Sequence, residues 1–167
     1  MEIKVSIEDR EVRAELEALQ RRTSDLSPAM KIISETVYAS IRRNFEVGGR
    51  PQRWQPSLRV KREGGQTLIR KGTSGGLLGS LSPSHGKDSA TVSANKEYAA
   101  IHHFGGSTGP RIIRPKNGKA LFWPGARHPV KSVKHPGSKI PPRPFMLVQN
   151  EDWTEIKNVI NSYLTAR

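Results

Sequence analysis

Histidine is the main residue type in this chain that could carry metal or acid–base chemistry, because the sequence contains no cysteine. The five histidines are His85, His102, His103, His128 and His135. No two of them have the spacing of a hydrolytic zinc site, and the adjacent His102 and His103 would point to different faces of a helix. A metal-dependent nuclease would also need clustered carboxylates to hold its ions. We therefore predict no metal, no cofactor and no enzyme activity.

The charges of the chain are segregated along its length. Residues 1–45 hold eight basic and eight acidic side chains, whereas residues 46–145 hold 18 Lys and Arg and only 4 Asp and Glu. The whole formal charge of +13 therefore comes from the central hundred residues. Such a region attracts phosphates or acidic protein surfaces. This pattern predicts balanced ends that support a basic binding surface.

Three stretches place apolar residues at helical spacing and must form most of the scaffold. The strongest begins at Ser27-Pro28, a hydroxyl cap followed by proline, and ends at Gly48-Gly49. We expect Ser6 or Asp9 to cap the first helix and Asn150 to cap the last. The three apolar faces consist of Val12, Leu16 and Leu19; of Met30, Ile33, Val37, Ile41 and Phe45; and of Trp153, Ile156, Ile160, Tyr163 and Leu164.

The remaining chain predicts short strands and long loops. One helical turn is expected at residues 77–81, and the strand candidates are residues 3–7, 67–70, 89–94, 111–113 and 119–123. We expect residues 89–94 to pair with 67–70, and residues 111–113 to pair with 119–123 through the Pro115–Gly118 turn. The fold class is therefore α+β, with a small antiparallel sheet between N-terminal and C-terminal helices in a single domain over residues 1–167. Residues 46–66 and 105–144 are rich in Pro and Gly and predict extended loops or arms. Trp54, in the first loop, is either a packing anchor, which we favour, or a stacking surface for a partner.

Residues 98–106 hold the densest group of aromatic, His and Gly residues, and they predict a short helix that Gly105-Gly106 terminates. We expect Tyr98, Ile101 and Phe104 to be buried. His102 is expected to hydrogen-bond to backbone or to a neighbouring loop instead of holding a metal. The two glycines would then act as a hinge between the core and the basic arm.

Several ordered motifs resemble the phage virion morphogenesis family, which includes the tail completion proteins of Mu-like and P2-like phages and prophages. The matching residues run from Phe45 to Phe145: Gly49-x-Pro51-x-x-Trp54-x-Pro56, Leu77-Leu78-x-Ser80, Tyr98-Ala99-x-Ile101-His102-x-Phe104-Gly105-Gly106 and Ile140-Pro141-x-Arg143-Pro144-Phe145. The resemblance implies a structural, non-enzymatic protein at the tail end or the head–tail joint. It also implies a homo-oligomeric ring, such as a hexamer, with other neck or tail proteins as partners and non-specific DNA contact in the lumen.

The resemblance further implies that the protein resides in the virion after assembly in the host cytoplasm, with no membrane association. Two sets of residues are candidates for function. The assembly or packing motif comprises Trp54, Tyr98, Ile101, His102, Phe104, Gly105, Gly106, Arg143, Pro144 and Phe145. Candidate contacts to DNA or to an acidic partner are Arg50, Arg53, Arg59, Lys61, Arg62, Arg111, Arg114, Lys131 and Lys134. The alternative function is a sequence-independent DNA-binding protein that uses the same basic region.

Overall fold

The computed structural model describes residues 9–69 and 76–166, and it confirms the α+β class. The α-helices among these residues are α1 (Arg10–Ser24), α2 (Ser27–Val47), α3 (Leu58–Glu63), α4 (Ala99–Phe104) and α5 (Asn150–Thr165). The strands are β1 (Leu81–His85), β2 (Ala90–Ala94), β3 (Gly106–Thr108), β4 (Arg111–Ile113), β5 (Val133–His135) and β6 (Ser138–Ile140). The described strands form three antiparallel pairs, β1–β2, β3–β6 and β4–β5, where we expected one small sheet.

Two compact units contain the described residues. The first unit consists of the chain up to Lys96 together with the chain from Phe145 onward, and the second unit is Glu97–Pro144. The first unit therefore carries α1, α2, α3 and α5 with the β1–β2 pair. The second unit carries α4 and the four shortest strands. No described helix is long and apolar enough to cross a membrane.

Helix α2 is the core of the first unit, as its apolar spacing predicted. Ile33, Ile41 and Phe45 are buried, and the helix packs against α5 and the β1–β2 pair. Gly48 ends the helix in the left-handed conformation at φ 78°, which costs a glycine little. The predicted start was wrong by one residue, since Ser27 lies inside the helix and its backbone N–H donates to Asp25 Oδ1 at 3.0 Å.

The three strands predicted in the first unit have different outcomes. The strand expected at 89–94 is present as β2 (Ala90–Ala94), but it pairs with β1, in the register Leu81↔Ala94 to His85↔Ala90, and not with residues 67–70. The strand expected at 67–70 was wrong for residues 67–69, because Leu68 takes a positive φ of 66° that a strand cannot accommodate. Residue 70 and the strand expected at residues 3–7 lie outside the described residues. The helical turn expected at 77–81 is present as a 3₁₀ turn, Leu78–Ser80.

The second unit contains more regular structure than the sequence predicted. Helix α4 and its stop at Gly105 are confirmed, with Gly105 at φ 76°. The strand expected at 111–113 is confirmed as β4, and the loop expected over residues 105–144 contains three further strands, β3, β5 and β6, that were not predicted. Strand β4 pairs with β5, whereas residues 119–123, predicted as its partner, contribute only the isolated bridge Leu121↔Val130. Strands β3, β5 and β6 are three residues long and are defined by long-range pairing, so local sequence gives little sign of them.

The final helix, α5, begins as expected near residue 150, but a different residue caps it. Gln149 is the capping residue, where we predicted Asn150, and its backbone N–H donates to Asp152 Oδ2 at 2.6 Å. Asp152 is the third residue of the helix, so its carboxylate also lies close to the positive end of the helix dipole. The start of α5 is therefore fixed by a capping box, in which Gln149 and Asp152 bond to each other. A rule that considers a single cap residue does not predict it.

Candidate assembly surfaces

Trp54 is a packing anchor, as we favoured from the sequence. Its indole is buried against Phe45 in an edge-on arrangement, with 5.6 Å between ring centroids. Its backbone N–H donates to Gly48 O at 2.7 Å, which closes the loop on itself. A Cβ on Gly49 would lie 2.7 Å from the indole, so glycine is required there for this close approach. Phe145 packs on the other side of the same cluster, 5.3 Å from Phe45.

A buried polar network holds this loop to α2 and α5, and it engages Arg50, which we had proposed as a partner contact. Arg50 Nε donates to Asn44 Oδ1 at 2.8 Å, and its Nη2 donates to both the carbonyl and the hydroxyl of Ser40 at 2.8 and 2.6 Å. Its Nη1 pairs with Glu151 Oε1 at 2.8 Å. The Ser40 hydroxyl in turn donates to the buried Asp152 carboxylate at 2.7 Å. Four donor bonds of Arg50 are thus used inside the first unit.

Asn44 is the centre of this network, and sequence reasoning missed it. Its side chain is fully buried, and Nδ2 donates to the carbonyl oxygens of Phe145 and Leu147 at 2.9 and 3.4 Å. Because Oδ1 accepts from Arg50, both polar atoms of the amide are hydrogen-bonded. The only sequence signal is that Ser40 and Asn44, four residues apart, lie beside the apolar face of α2.

The residues 98–106 did not all take the places we predicted. Tyr98 and Phe104 are 43% and 76% exposed, so the expectation that both are buried was wrong; α4 is only six residues long and buries no residue completely. Ile101 is half-buried beside Gly106. The expected hydrogen bond of His102 is also not found at Nδ1, which is buried without a partner. Burial, together with the charge of Arg143, lowers the pKa of His102.

Gly105 and the residues around Arg143 do fix the start of the strands in the second unit. A Cβ on Gly105 would lie 2.8 Å from the backbone nitrogen of Pro142, so only glycine permits this approach. The backbone N–H of Arg143 donates to His102 O at 2.9 Å, which ties the end of the strands back to α4. Arg143 is itself buried, and burial lowers the pKa of its guanidinium. Pro144 ends the second unit, and it is half-buried.

The proposed cationic contacts differ in how accessible they are. Like Arg50, Arg59 donates internally, from Nη2 to Gln66 O at 2.7 Å and to Ile69 O at 2.6 Å. The other members of the set are exposed in the structure: Arg53, Lys61, Arg62, Arg111, Arg114, Lys131 and Lys134. Four of these lie in the second unit, in which residues 98–144 contain nine Lys and Arg and no acid. Among residues 9–69 and 76–166, no three His, Asp or Glu side chains group closely enough to hold a metal.

Two apolar surfaces are exposed, although the sequence predicted one of them as a helix face of the scaffold and the other as part of a strand at 119–123. The first is on α1, where none of the 15 residues is buried and Val12 and Leu16 are 59% and 60% exposed. The second is a loop in the second unit that exposes Phe122 and Trp123. Large apolar side chains left at a surface in groups are typical of sites where another molecule binds. Both surfaces are therefore candidates for assembly contacts.

Comparison with known proteins identifies the family. The sequence profile of the phage virion morphogenesis family matches residues 7–165. The chain belongs to this family. It is also 29% identical over 153 residues to the Mu-like prophage FluMu G protein 2 of Haemophilus influenzae, a match that covers 92% of this chain and 88% of that protein. No solved structure gives a significant match. The protein therefore has a role in phage virion assembly, as its ordered motifs predicted.

Proposed function

We propose that this protein is a ring-forming structural subunit that completes the phage tail or joins the tail to the head. The family establishes virion assembly, and a subunit at such a position needs surfaces for its own copies and for neighbouring neck or tail proteins. It would do this work without catalysing a reaction. The proposal places the protein in the finished virion.

The uncovered apolar face of α1 carries this proposal. A surface helix normally turns such a face toward a core, and here Val12, Leu16 and Leu19 remain exposed. Two hydrogen bonds hold the C-terminal end of the helix: Arg22 Nη1 donates to Leu164 O at 2.9 Å, and Tyr163 Oη donates to the nearby Asp25 O at 2.7 Å. An exposed stripe that is held in place at one end is suited to contact with another subunit.

Size-exclusion chromatography with light scattering, followed by negative-stain imaging, tests the proposal. We expect the purified protein to assemble with increasing concentration into one discrete ring-shaped oligomer and to bind to phage tails that lack it. The images also give the number of subunits. A protein that remains monomeric at every concentration and does not bind tails would refute the proposal.

Non-specific DNA contact is a second candidate function, supported by the exposed cations of the second unit. If Lys131 and Lys134 contact phosphates, duplex binding falls steeply with salt, and replacing either by Gln lowers the slope of log K against log salt by about one. Lys157, which is exposed on α5, provides a matched control that should leave the slope unchanged. Absence of duplex binding at low salt would eliminate this function.

A further inference from the structure

The exposed aromatic pair of the second unit lies on a preformed loop, residues 121–130, which we call the aromatic tip. Two backbone hydrogen bonds close its base, from Leu121 N to Val130 O at 2.7 Å and from Val130 N to Leu121 O at 3.0 Å. At its end, the N–H of Ala126 donates to Trp123 O at 3.0 Å. The two central positions of this turn are Pro124 and Gly125, and the φ of Gly125 is 94°. This is the arrangement of a type II turn.

This geometry presents Phe122 and Trp123 to solvent, 67% and 45% exposed, on a backbone that is already ordered. Aromatic side chains are frequent among the residues that dominate protein–protein binding energy. A preformed turn also lowers the conformational entropy that is lost when such residues bind. The aromatic tip therefore has the properties of an anchor that inserts into an apolar site.

A matching apolar site exists in the first unit of the same sequence. A groove of about 650 Å³, which we call the α1–α5 groove, lies between α1 and the end of α5. Its walls include Val12, Leu16 and Leu19 from α1 and Leu164 from α5. Its volume is within the range of sites that enclose ligands of drug size, and therefore suits one or two aromatic side chains.

We propose that the aromatic tip of one copy inserts into the α1–α5 groove of the next copy. Charge supports a second copy as the occupant: Glu15 lines the groove, whereas Arg127 on the tip and Lys131 beside it are exposed, and residues 98–144 contain no acid that would repel Glu15. The other charged residue of the groove wall, Arg22, is positive, but it lies about two helical turns from Glu15 and its Nη1 donates to Leu164 O, so the attraction for the tip is confined to the Glu15 end of the groove. This inference rests on the proposed ring function and specifies the interface that forms the ring.

The contact is heterologous, because the surface that each copy offers differs from the surface that it binds. Such contacts propagate from copy to copy and end only when a ring closes. A variant that lacks the tip still has a groove, and a variant that lacks the groove still has a tip. In a mixture of the two, the intact tip can enter the intact groove, and the resulting dimer offers no further intact surface for growth.

The tip variant is Phe122→Ser with Trp123→Ser, and the groove variant is Leu16→Lys. All three positions are exposed in the single chain, so the variants should fold. Each variant alone should associate at least about thirty-fold more weakly than the wild type and run as a monomer in light scattering. An equimolar mixture should give a one-to-one dimer that does not grow further.

Matched controls separate this contact from general effects of charge or of lost apolar surface. Gln20→Lys adds the same charge to an exposed position of α1 that does not line the groove, and Ile112→Ser removes another exposed apolar side chain from the second unit. Both controls should assemble as the wild type does. If the wild type forms a ring and the tip and groove variants form it equally well, the interface is wrong while the ring function stands. A wild type that is always monomeric refutes both.

Cross-linking identifies what occupies the groove. Because the chain has no cysteine, Leu19→Cys in one sample and Ala126→Cys in another introduce one thiol each. Mixing them under oxidising conditions should give a disulfide-linked dimer, whereas Ala39→Cys, at an exposed position of α2, should give little with Ala126→Cys. In a chain that carries both Leu19→Cys and Ala126→Cys, a disulfide within one molecule that forms independently of concentration would overturn the proposal. A thiol-reactive photo-cross-linker attached to Leu19→Cys reports occupants that have no thiol, and capture of another protein or of residues 1–8 in place of the tip would overturn the proposal as well.

Discussion

Asn44 gives the sharpest test of how the first unit is held together. Replacing it by alanine removes an amide that is fully buried and that bonds to three groups from two other segments of the chain. Two of the orphaned partners matter most. The Phe145 carbonyl loses its 2.9 Å donor, and Arg50 Nε loses its 2.8 Å acceptor.

The expected cost follows from these two partners. A buried polar group that is left without a hydrogen bond costs about 1–3 kcal/mol, and more when it belongs to a charged side chain. Arg50 keeps its bonds to Ser40 and Glu151, which limits its part of the loss. We therefore expect Asn44→Ala to lower the free energy of unfolding by about 3–4 kcal/mol, which is a large fraction of the 5–15 kcal/mol of a typical domain.

Urea unfolding followed by circular dichroism at 222 nm measures this loss, since α1, α2 and α5 dominate the signal. With a slope of about 2 kcal/mol per molar urea, the midpoint should fall by about 1.5–2 M. Asn161→Ala, at an exposed position of α5, is the matched control and should change the free energy by less than about 0.5 kcal/mol. A loss below about 1 kcal/mol for Asn44→Ala would refute the reasoning.

A double-mutant cycle then isolates the bond between Asn44 and Arg50. Arg50→Met removes the guanidinium but keeps much of the apolar stem of the side chain. Because the two residues are hydrogen-bonded, the double variant should lose about 0.5–3 kcal/mol less than the sum of the single variants. Additive effects would mean that the two residues act independently.

Two further outcomes are expected. Gly49→Ala should lower the free energy of unfolding by about 2–4 kcal/mol in the same urea assay, because its Cβ would lie 2.7 Å from the Trp54 indole at φ 113°. Gly48→Ala, also at a positive φ but with no atom within 4 Å, should cost only about 1 kcal/mol, and equal costs would contradict the packing argument. The pKa of His102 is lowered from 6.5 by burial and by Arg143, so the folded state resists protonation. Stability should therefore fall as pH drops below 6.5; His102→Gln should weaken this fall, and an unchanged pH profile in that variant would exclude His102 as its source.

The helices of the first unit were predictable because a single local rule decides them. The spacing of Ile33, Ile41 and Phe45 specifies a buried face, and Gly48 supplies a conformation that ends the helix. Strand β4 was expected at residues 111–113 and is present, but the other three strands of the second unit, β3, β5 and β6, were not predictable in the same way. Each has three residues, too few to show alternation, and each is defined by a partner about 20 to 30 residues away. The sequence consequently suggested loops where the chain forms strand pairs.

Among the candidate site residues, burial was predicted correctly for some and wrongly for others, for a related reason. Trp54 and Phe145 were assigned correctly as anchors because large apolar residues in loops rarely lack a packing partner. The same rule failed for Tyr98 and Phe104, since a helix of six residues offers too little surface to cover them. Asn44 was missed because the two carbonyl oxygens to which its amide donates are about 100 residues away in sequence. Its role depends on tertiary packing that no local pattern reports.

Counting charges along the sequence overstated how many cations a partner could reach, and the correction changes where binding is expected. Arg50 and Arg59 belong to the first unit, and their guanidinium groups donate to acceptors within that unit. Arginine suits this role because its planar fork satisfies several buried acceptors at once. Four of the seven remaining candidate cations lie on residues 111–134, in the same unit as the aromatic tip. Binding to an acidic or phosphate-bearing partner should therefore depend more on Lys131 and Lys134 than on Arg50 or Arg59. Variants of Arg50 should act through stability alone.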